Sequence, residues 1–231
     1  MTDRAPAPQL TPKPRPQHSI AVEDYIKHIW KLQSAGKRAT TKAIAERMEL
    51  GRGTVTGMLQ QLASRGLVEY ERYYGVRLTK AGERLALRQI RRHRLIELFL
   101  VQTLGLGWEQ VHRDAERLEH AVSDELIEQM DRYLGHPDVD PHGAPIPSAS
   151  GTVPRQKFQS LSELAAGEAG HVRRVSDREP QFLTYLNDAG IELNSRLEVL
   201  SVDPFGTMKV RTGKREAHLA REAAERIQVE P

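Results

Sequence analysis

Between residues 112 and 120 the sequence runs H-R-D-A-E-R-L-E-H. On an α-helix His112, Glu116, Glu119 and His120 fall at i, i+4, i+7 and i+8, so two imidazoles and two carboxylates line one face. Such a donor set binds divalent cations. The neighbouring stripe of Val111, Ala115, Leu118 and Val122 is apolar at helical spacing, which puts the ligand row at the border of a buried seam, shielded from bulk water. Taken alone, the same spacing also describes a solvated polar helix face. A second pair adds weight to the metal reading: His93 and Glu97 stand at i, i+4 in R-R-H-R-L-I-E-L and can meet His112 across a short helical hairpin.

The chain has no cysteine, which excludes disulfides, thiolate metal sites and cysteine catalysis. Any metal must be held by imidazole, carboxylate, carbonyl or water. The 231 residues allow two or three small domains, and 39% hydrophobic with 28% charged is ordinary globular composition. No apolar run approaches the ~20 residues that span a bilayer, and no signal-peptide core opens the chain, so the expected location is the cytoplasm, with no membrane partner. The net charge of +3 is unevenly spread: residues 19–88 carry 13 basic against 7 acidic side chains, residues 89–135 carry 6 against 9. A basic segment followed by an acidic one suits nucleic acid on the first and cations on the second.

The elements that position these residues follow from pattern. Residues 1–18 are proline-rich and nearly devoid of apolar side chains, a disordered arm. Ser19 and Glu23 open a first helix whose inward stripe is Val22, Ile26, Ile29 and Trp30, ending near Gly36. Thr40 or Thr41 caps a short helix with Ile44, Ala45 and Met48 inward, and E-L-G-R-G turns into a third helix with Val55, Leu59 and Leu62 in the core. That leaves Thr54, Thr56, Gly57 and Gln60 outward, small enough for a helix to enter a major groove. Residues 67–78 alternate as two strands about a turn near Tyr74–Gly75, and Thr79 caps the next helix. Helix-turn-helix plus hairpin is a winged helix, around which Lys42, Arg52, Arg65, Arg72, Arg77 and Lys80 form a set of phosphate contacts.

A long helix is expected from Thr79 to about Leu104, and after G-L-G a single ligand-bearing helix to about Leu134. Leu95, Leu98, Phe99 and Ile127 exceed what one small domain needs and are candidates for a dimer interface. Residues 136–157 read as a linker, with His136 and His142 at the surface. Beyond it, 170–177, 196–203, 205–212 and 217–219 read as strands and 180–188 as a helix, a pattern that fits a small SH3-like β-barrel. The fold class is thus mainly α with small β parts: an N-terminal winged helix-turn-helix (19–88), a helical metal-binding and dimerisation domain (89–135) and a C-terminal SH3-like, FeoA-like domain (158–231). There is no Walker A, G-x-G-x-x-G, G-x-S-x-G or H-E-x-x-H, so nothing supports a nucleotide or hydrolase site.

In this order the parts resemble the diphtheria toxin repressor family of iron- and manganese-dependent transcriptional regulators, across residues 19–231. The likeness rests on E-D-Y-I-K-H-I-W at 23–30, T-V-T entering the third helix, R-R-H-R-L-I-E at 91–97 and V-H-x-x-A-E-R-L-E-H-A-V-S-D-E at 111–125. The resemblance implies a primary metal site of Asp24, Glu116, Glu119 and His120, joining the first helix to the dimerisation part. Iron-sensing members carry methionine at the place of Asp24 and cysteine at that of Glu116. Carboxylates at both positions imply a manganese sensor, with Fe²⁺ the alternative.

By the same likeness an ancillary site takes His93, Glu97 and His112, completed in longer members by a glutamate and a glutamine of the third domain. Gln181 matches the glutamine; the glutamate's place holds Arg178, with Glu179 one residue beyond. Lys27 stands where some shorter relatives place a glutamate for a close binuclear site, which implies two separated sites instead. The expected protein is a homodimeric, manganese-dependent repressor of metal-uptake and homeostasis genes that binds double-stranded operator DNA and takes no small molecule other than its metal ion. It is not expected to be an enzyme. The competing class, a metalloenzyme or metal-storage protein, gives no reason for the basic winged helix.

Overall fold

In the computed structural model, which describes residues 18–71 and 73–231, the first helix, α1, spans Ile20–Ser34 and buries Val22, Tyr25, Ile26, Ile29 and Leu32. Trp30, expected inward, is only half-buried. Helix α2 (Thr41–Met48) starts where the Thr40 hydroxyl accepts a hydrogen bond from the Ala43 amide at 3.1 Å. Glu49, at φ 55°, turns the chain into α3 (Arg52–Ser64), whose Val55, Leu59 and Leu62 are inaccessible to solvent as their spacing predicts. Strands β1 (Val68–Glu71) and β2 (Gly75–Leu78) pair antiparallel, with Val68 opposite Leu78 and Glu71 opposite Gly75. Gly75 has φ +110°, and a Cβ there would lie 2.7 Å from the Ala39 carbonyl, which itself accepts from the Val76 amide at 2.9 Å. Only glycine lets the hairpin lie this close to the segment before α2. These elements form one unit of the chain, ending at Leu78. Residues 1–17 of the expected arm (1–18), and Arg72, lie outside the described residues.

The second unit runs from Thr79 to Pro231. Thr79 caps α4 (Lys80–Leu104) by accepting from the Gly82 amide, and Gly105 ends it in the left-handed region. The expected single helix after it is in fact two, α5 (Val111–Leu118) and α6 (Asp124–Tyr133). Two local features cause the break. The Ser123 hydroxyl accepts from the Leu126 amide and starts a new helix. The buried Arg92 guanidinium, on α4, donates to the carbonyls of Glu119 and Val122 and pairs with Asp124, satisfying groups that a continuous helix would have bonded itself.

Leu95, Leu98 and Ile127 are not free for a dimer partner. They pack within this chain, with Ile96, Val111, Ala115, Met130 and Ile146. The large apolar side chains left exposed here are Leu104, Leu118, Leu126 and Tyr133, and Leu118 thus departs from the buried stripe expected of it.

Within the expected linker, residues 140 and 142–147 fold back and are buried. Arg91 donates to the Pro147 carbonyl at 3.0 Å, Arg94 to that of Pro145, and Val139 bridges Pro145. His142, expected at the surface, is buried, whereas His136 is exposed.

The C-terminal part is an SH3-like barrel. Its six antiparallel strands are β3 (Gln159–Ser160), β4 (Ala169–Val175), β5 (Arg196–Val202), β6 (Met208–Thr212), β7 (Arg215–Leu219) and β8 (Ile227–Glu230), in the order β3-β8-β4-β5-β6-β7. Helix α7 (Pro180–Ala189) covers a core that includes Val172, Leu183, Leu197, Val210 and Val229, and the short α8 (Arg221–Ala224) leads into β8. Among the described residues no helix is long and apolar enough to cross a membrane.

Candidate metal centre and DNA-facing helix

His93 lies near the middle of α4, and Glu97 follows one turn later on the same face, both in the interior. His112 sits in the first turn of α5, opposite them. The His93 Nε2 and His112 Nδ1 atoms are 3.0 Å apart, and each is 3.0 Å from Glu97 Oε1. A donor atom from each of the three lies within 4.8 Å of the others. This is the hairpin meeting that the spacing predicts.

His93 Nδ1 also hydrogen-bonds the Glu119 carboxylate. Burial alone would push the His93 imidazole toward neutrality, but the charge of Glu97 and the bonds from both glutamates outweigh it and raise its pKa to about 9. Burial likewise disfavours a charged Glu97, and the charge and hydrogen bonds of His93 and His112 reverse this, holding it well below the usual carboxylate range. Two anionic carboxylates thus surround His93, and a divalent cation can take over the role of the imidazolium proton.

Because the ligand helix breaks, its four candidate residues do not form one row. His112 Nε2 is 3.7 Å from the half-exposed Glu116, still on α5. Glu119 and His120 follow the end of α5, where Glu119 is fully buried and one of its oxygens is 3.5 Å from His120 Nε2. Asp24 belongs to α1, in the first unit. Glu179 is exposed and pairs with Arg226 at 3.2 Å, and Gln181 is exposed in the first turn of α7. Sequence reasoning passed over Asp140 and His142, which stand with Glu97 as a further group whose donor atoms lie within 4.8 Å of one another. A lone histidine in a proline-rich stretch carries no periodic signal.

In the first unit Arg52, Thr54, Gly57 and Gln60 are exposed on α3, Arg65 follows its end, and Arg77 is exposed on β2. Thr56 is half-buried and its hydroxyl donates to the Arg52 carbonyl at 2.9 Å, leaving its oxygen to accept. Lys42 pairs weakly with Glu46 at 3.7 Å, both largely exposed. Lys80 is exposed at the start of α4, in the second unit. Arg38, which the sequence does not single out, lies 5.8 Å over the Tyr74 ring and adds an exposed cation beside the hairpin.

Comparison with known proteins agrees with this architecture. Residues 19–76 match the family model for an iron dependent repressor N-terminal DNA binding domain, residues 79–148 that for the iron dependent repressor metal binding and dimerisation domain, and residues 159–231 a FeoA domain. The iron-dependent repressor IdeR of Mycobacterium tuberculosis is 31% identical over 220 residues, covering 90% of this chain and 96% of the relative. The diphtheria toxin repressor of Corynebacterium diphtheriae is 29% identical over 90% of this chain. Among solved structures, a manganese-dependent transcriptional repressor in complex with manganese superposes with a TM-score of 0.84 at 42% identity, covering 90% of this chain and 98% of its own. The manganese regulator SloR gives 0.74 at 32% identity over 90% of this chain.

Proposed function

Since the chain belongs to the diphtheria toxin repressor family of metal-dependent transcriptional repressors, we propose that the metal to which it responds is manganese. The observation that carries this reading is the donor set. Asp24, Glu116, Glu119 and His120 for the primary ion, and His93, Glu97 and His112 for the ancillary one, offer oxygen and imidazole and no sulfur. Hard oxygen donors retain Mn²⁺, whereas thiolate or thioether would favour softer and later metals. When bound, the ion supplies positive charge that draws these ligands together. The similarity to manganese-dependent repressors in fold supports the reading, while the iron-dependent names of the curated relatives keep Fe²⁺ as the second.

In this reading the chain acts as a homodimer, and the exposed edge of α3 enters the major groove of one operator half-site per subunit. Arg52, Arg65 and Arg77 contact phosphates, and Thr54, Thr56 and Gln60 face base edges. Asp24 on the first unit and Glu119 and His120 on the second share the primary ion, so metal occupancy favours the operator-competent arrangement. The regulated genes serve metal-ion uptake and homeostasis.

A gel shift with an operator fragment, performed anaerobically across matched free concentrations of Mn²⁺ and Fe²⁺ and with chelator alone, tests the assignment. Retardation is expected at lower Mn²⁺ than Fe²⁺ and absent with chelator. Half-maximal binding at lower Fe²⁺ would reassign the metal, and metal-independent retardation would refute the mechanism.

A further inference from the structure

A groove of about 520 Å³ opens in the second unit between the C-terminal half of α4, Trp108, residues 137–141 and the turn after α7. Leu98, Val101, Trp108, Pro137, Pro141 and Leu193 give it an apolar lining. Its size falls within the roughly 300–1,000 Å³ of ligand-binding clefts. The walls are held in place from behind. Val139 bridges Pro145, the Asp138 carbonyl accepts from the Ile146 amide at 2.8 Å, and Trp108 stacks on His142 with ring centroids 5.8 Å apart.

The polar groups of the groove define what can fill it. The exposed carboxylates of Asp138 and Glu192 line it, a third, Glu109, accepts from the lining residue Asn187 at 3.2 Å, and no lysine or arginine is among the lining residues. Such a site favours a cation. The indole N–H of Trp108 is buried with no hydrogen-bond partner, so an acceptor is also missing. The complement of this groove therefore combines apolar surface, positive charge and spare carbonyls.

Residues 10–16 of this chain, L-T-P-K-P-R-P, offer all three. Pro12, Pro14 and Pro16 bring apolar rings and carbonyls without an amide N–H of their own, and Lys13 and Arg15 bring two positive charges. Because proline fixes φ, seating such a stretch costs less chain entropy than seating an ordinary peptide. Aromatic-lined grooves take up proline-rich segments for these reasons. The exposed tip at Phe205, which another copy could present, fits less well: the Asp203 carboxylate accepts from the Phe205 amide at 2.8 Å and would bring a like charge to Asp138 and Glu192.

We propose that residues 10–16 dock in this groove, with the prolines against Trp108, Pro137 and Pro141 and with Lys13 and Arg15 facing Asp138 and Glu192. Three residues separate Pro16 from the start of α1 at Ile20. The docked segment thus ties the DNA-binding unit to the second unit through a contact that needs no metal.

Disulfide trapping tests this directly, since the chain has no cysteine of its own and only engineered thiols can react. Gln102 is exposed and lines the groove, whereas Lys214 is exposed in the turn between β6 and β7. The full chain carrying Thr11→Cys and Gln102→Cys, oxidised without metal or DNA, is expected to form the disulfide at least about ten times faster than a Thr11→Cys, Lys214→Cys control. The size of the product on a non-reducing gel shows which copy supplies the segment. Equal rates at the two positions overturn the inference. Trapping between the Gln102→Cys thiols of two copies, with the Thr11→Cys thiol left reduced, assigns the groove to a second copy and likewise overturns it.

A charge swap separates docking from loss of fold. Adding Lys13→Glu and Arg15→Glu is expected to bring trapping at Gln102→Cys down to the rate at Lys214→Cys measured with the same arm. Adding Asp138→Lys and Glu192→Lys to that chain is expected to restore it, and because both positions are exposed the melting temperature should stay at the wild-type value. A folded, charge-swapped chain that still traps no faster than its control overturns the pairing and with it the docking.

Discussion

At His93 a proton holds the buried place that the proposed ancillary ion would take. Its pKa of about 9 in the metal-free chain lies above the ordinary 6.5, so the imidazolium contributes stability that is fully present below pH 6.5 and disappears as pH rises through about 9. Thermal unfolding of the metal-free protein in chelator is expected to show a melting temperature that falls across this window, and His93→Gln is expected to flatten the fall. A wild-type profile as flat as that of the variant would show that His93 is not cationic in the fold. The trio of His93, Glu97 and His112 was legible in the sequence because helical spacing states which side chains share a face. His142 was not, because its burial depends on the chain returning beneath α4, and that return is held by Arg91 and Arg94 binding the carbonyls of Pro147 and Pro145 across more than fifty residues. Arginines in R-R-H-R read as surface charge until the carbonyls they serve are known.

At the scale of elements, the break between α5 and α6 decides where Glu119 and His120 point, and Arg92 keeps the break open. Its guanidinium bonds to the carbonyls of Glu119 and Val122 from a position only 2% exposed. Hydrogen bonds from a charged donor contribute about 1.5–3 kcal/mol each, so Arg92→Met is expected to destabilise the metal-free chain by about 3 kcal/mol, read from the urea midpoint. The same variant is expected to weaken Mn²⁺ binding, since Glu119 loses its fixed backbone. A destabilised variant with unaltered Mn²⁺ affinity would mean that the break is maintained by Ser123 alone. Helices α1 to α4 and α7, the hairpin and four strands of the barrel were legible from period and capping residues. The break was not, because A-V-S-D-E continues a helical pattern and only a partner on another helix makes leaving it favourable. Strands β3 and β8 escaped notice because β3 has only two residues and β8, though its I-Q-V-E alternates, has no neighbouring strand in sequence to pair with; both pairings are set by the sheet they join.

For the molecule as a whole, the division at Leu78 separates Asp24 from Glu119 and His120, so the proposed primary ion has ligands on both units. Shifting a two-state population from 1:99 to 99:1 needs about 5.5 kcal/mol of differential binding, and linkage requires operator DNA to tighten Mn²⁺ binding by the factor by which Mn²⁺ tightens operator binding. Asp24→Ala is therefore expected to abolish most of the manganese dependence of operator affinity while sparing nonspecific DNA binding, as measured by fluorescence anisotropy at fixed salt. A mutant with the wild-type manganese dependence would exclude this coupling. Helix α4 gives the coupling a mechanical side. It is an uninterrupted 25-residue rod, with the proposed ancillary ligands His93 and Glu97 in its second half and its first residue two positions beyond the end of the winged unit. The 13 helical rises from Lys80 to His93 make a lever arm of roughly 20 Å, so a tilt of about 5° at His93 would move the far end by about 1.7 Å. Under the proposed coupling, a small reorientation at His93 would be amplified by the stiffness of α4 alone into a larger displacement at the end of the helix that adjoins the winged unit in sequence.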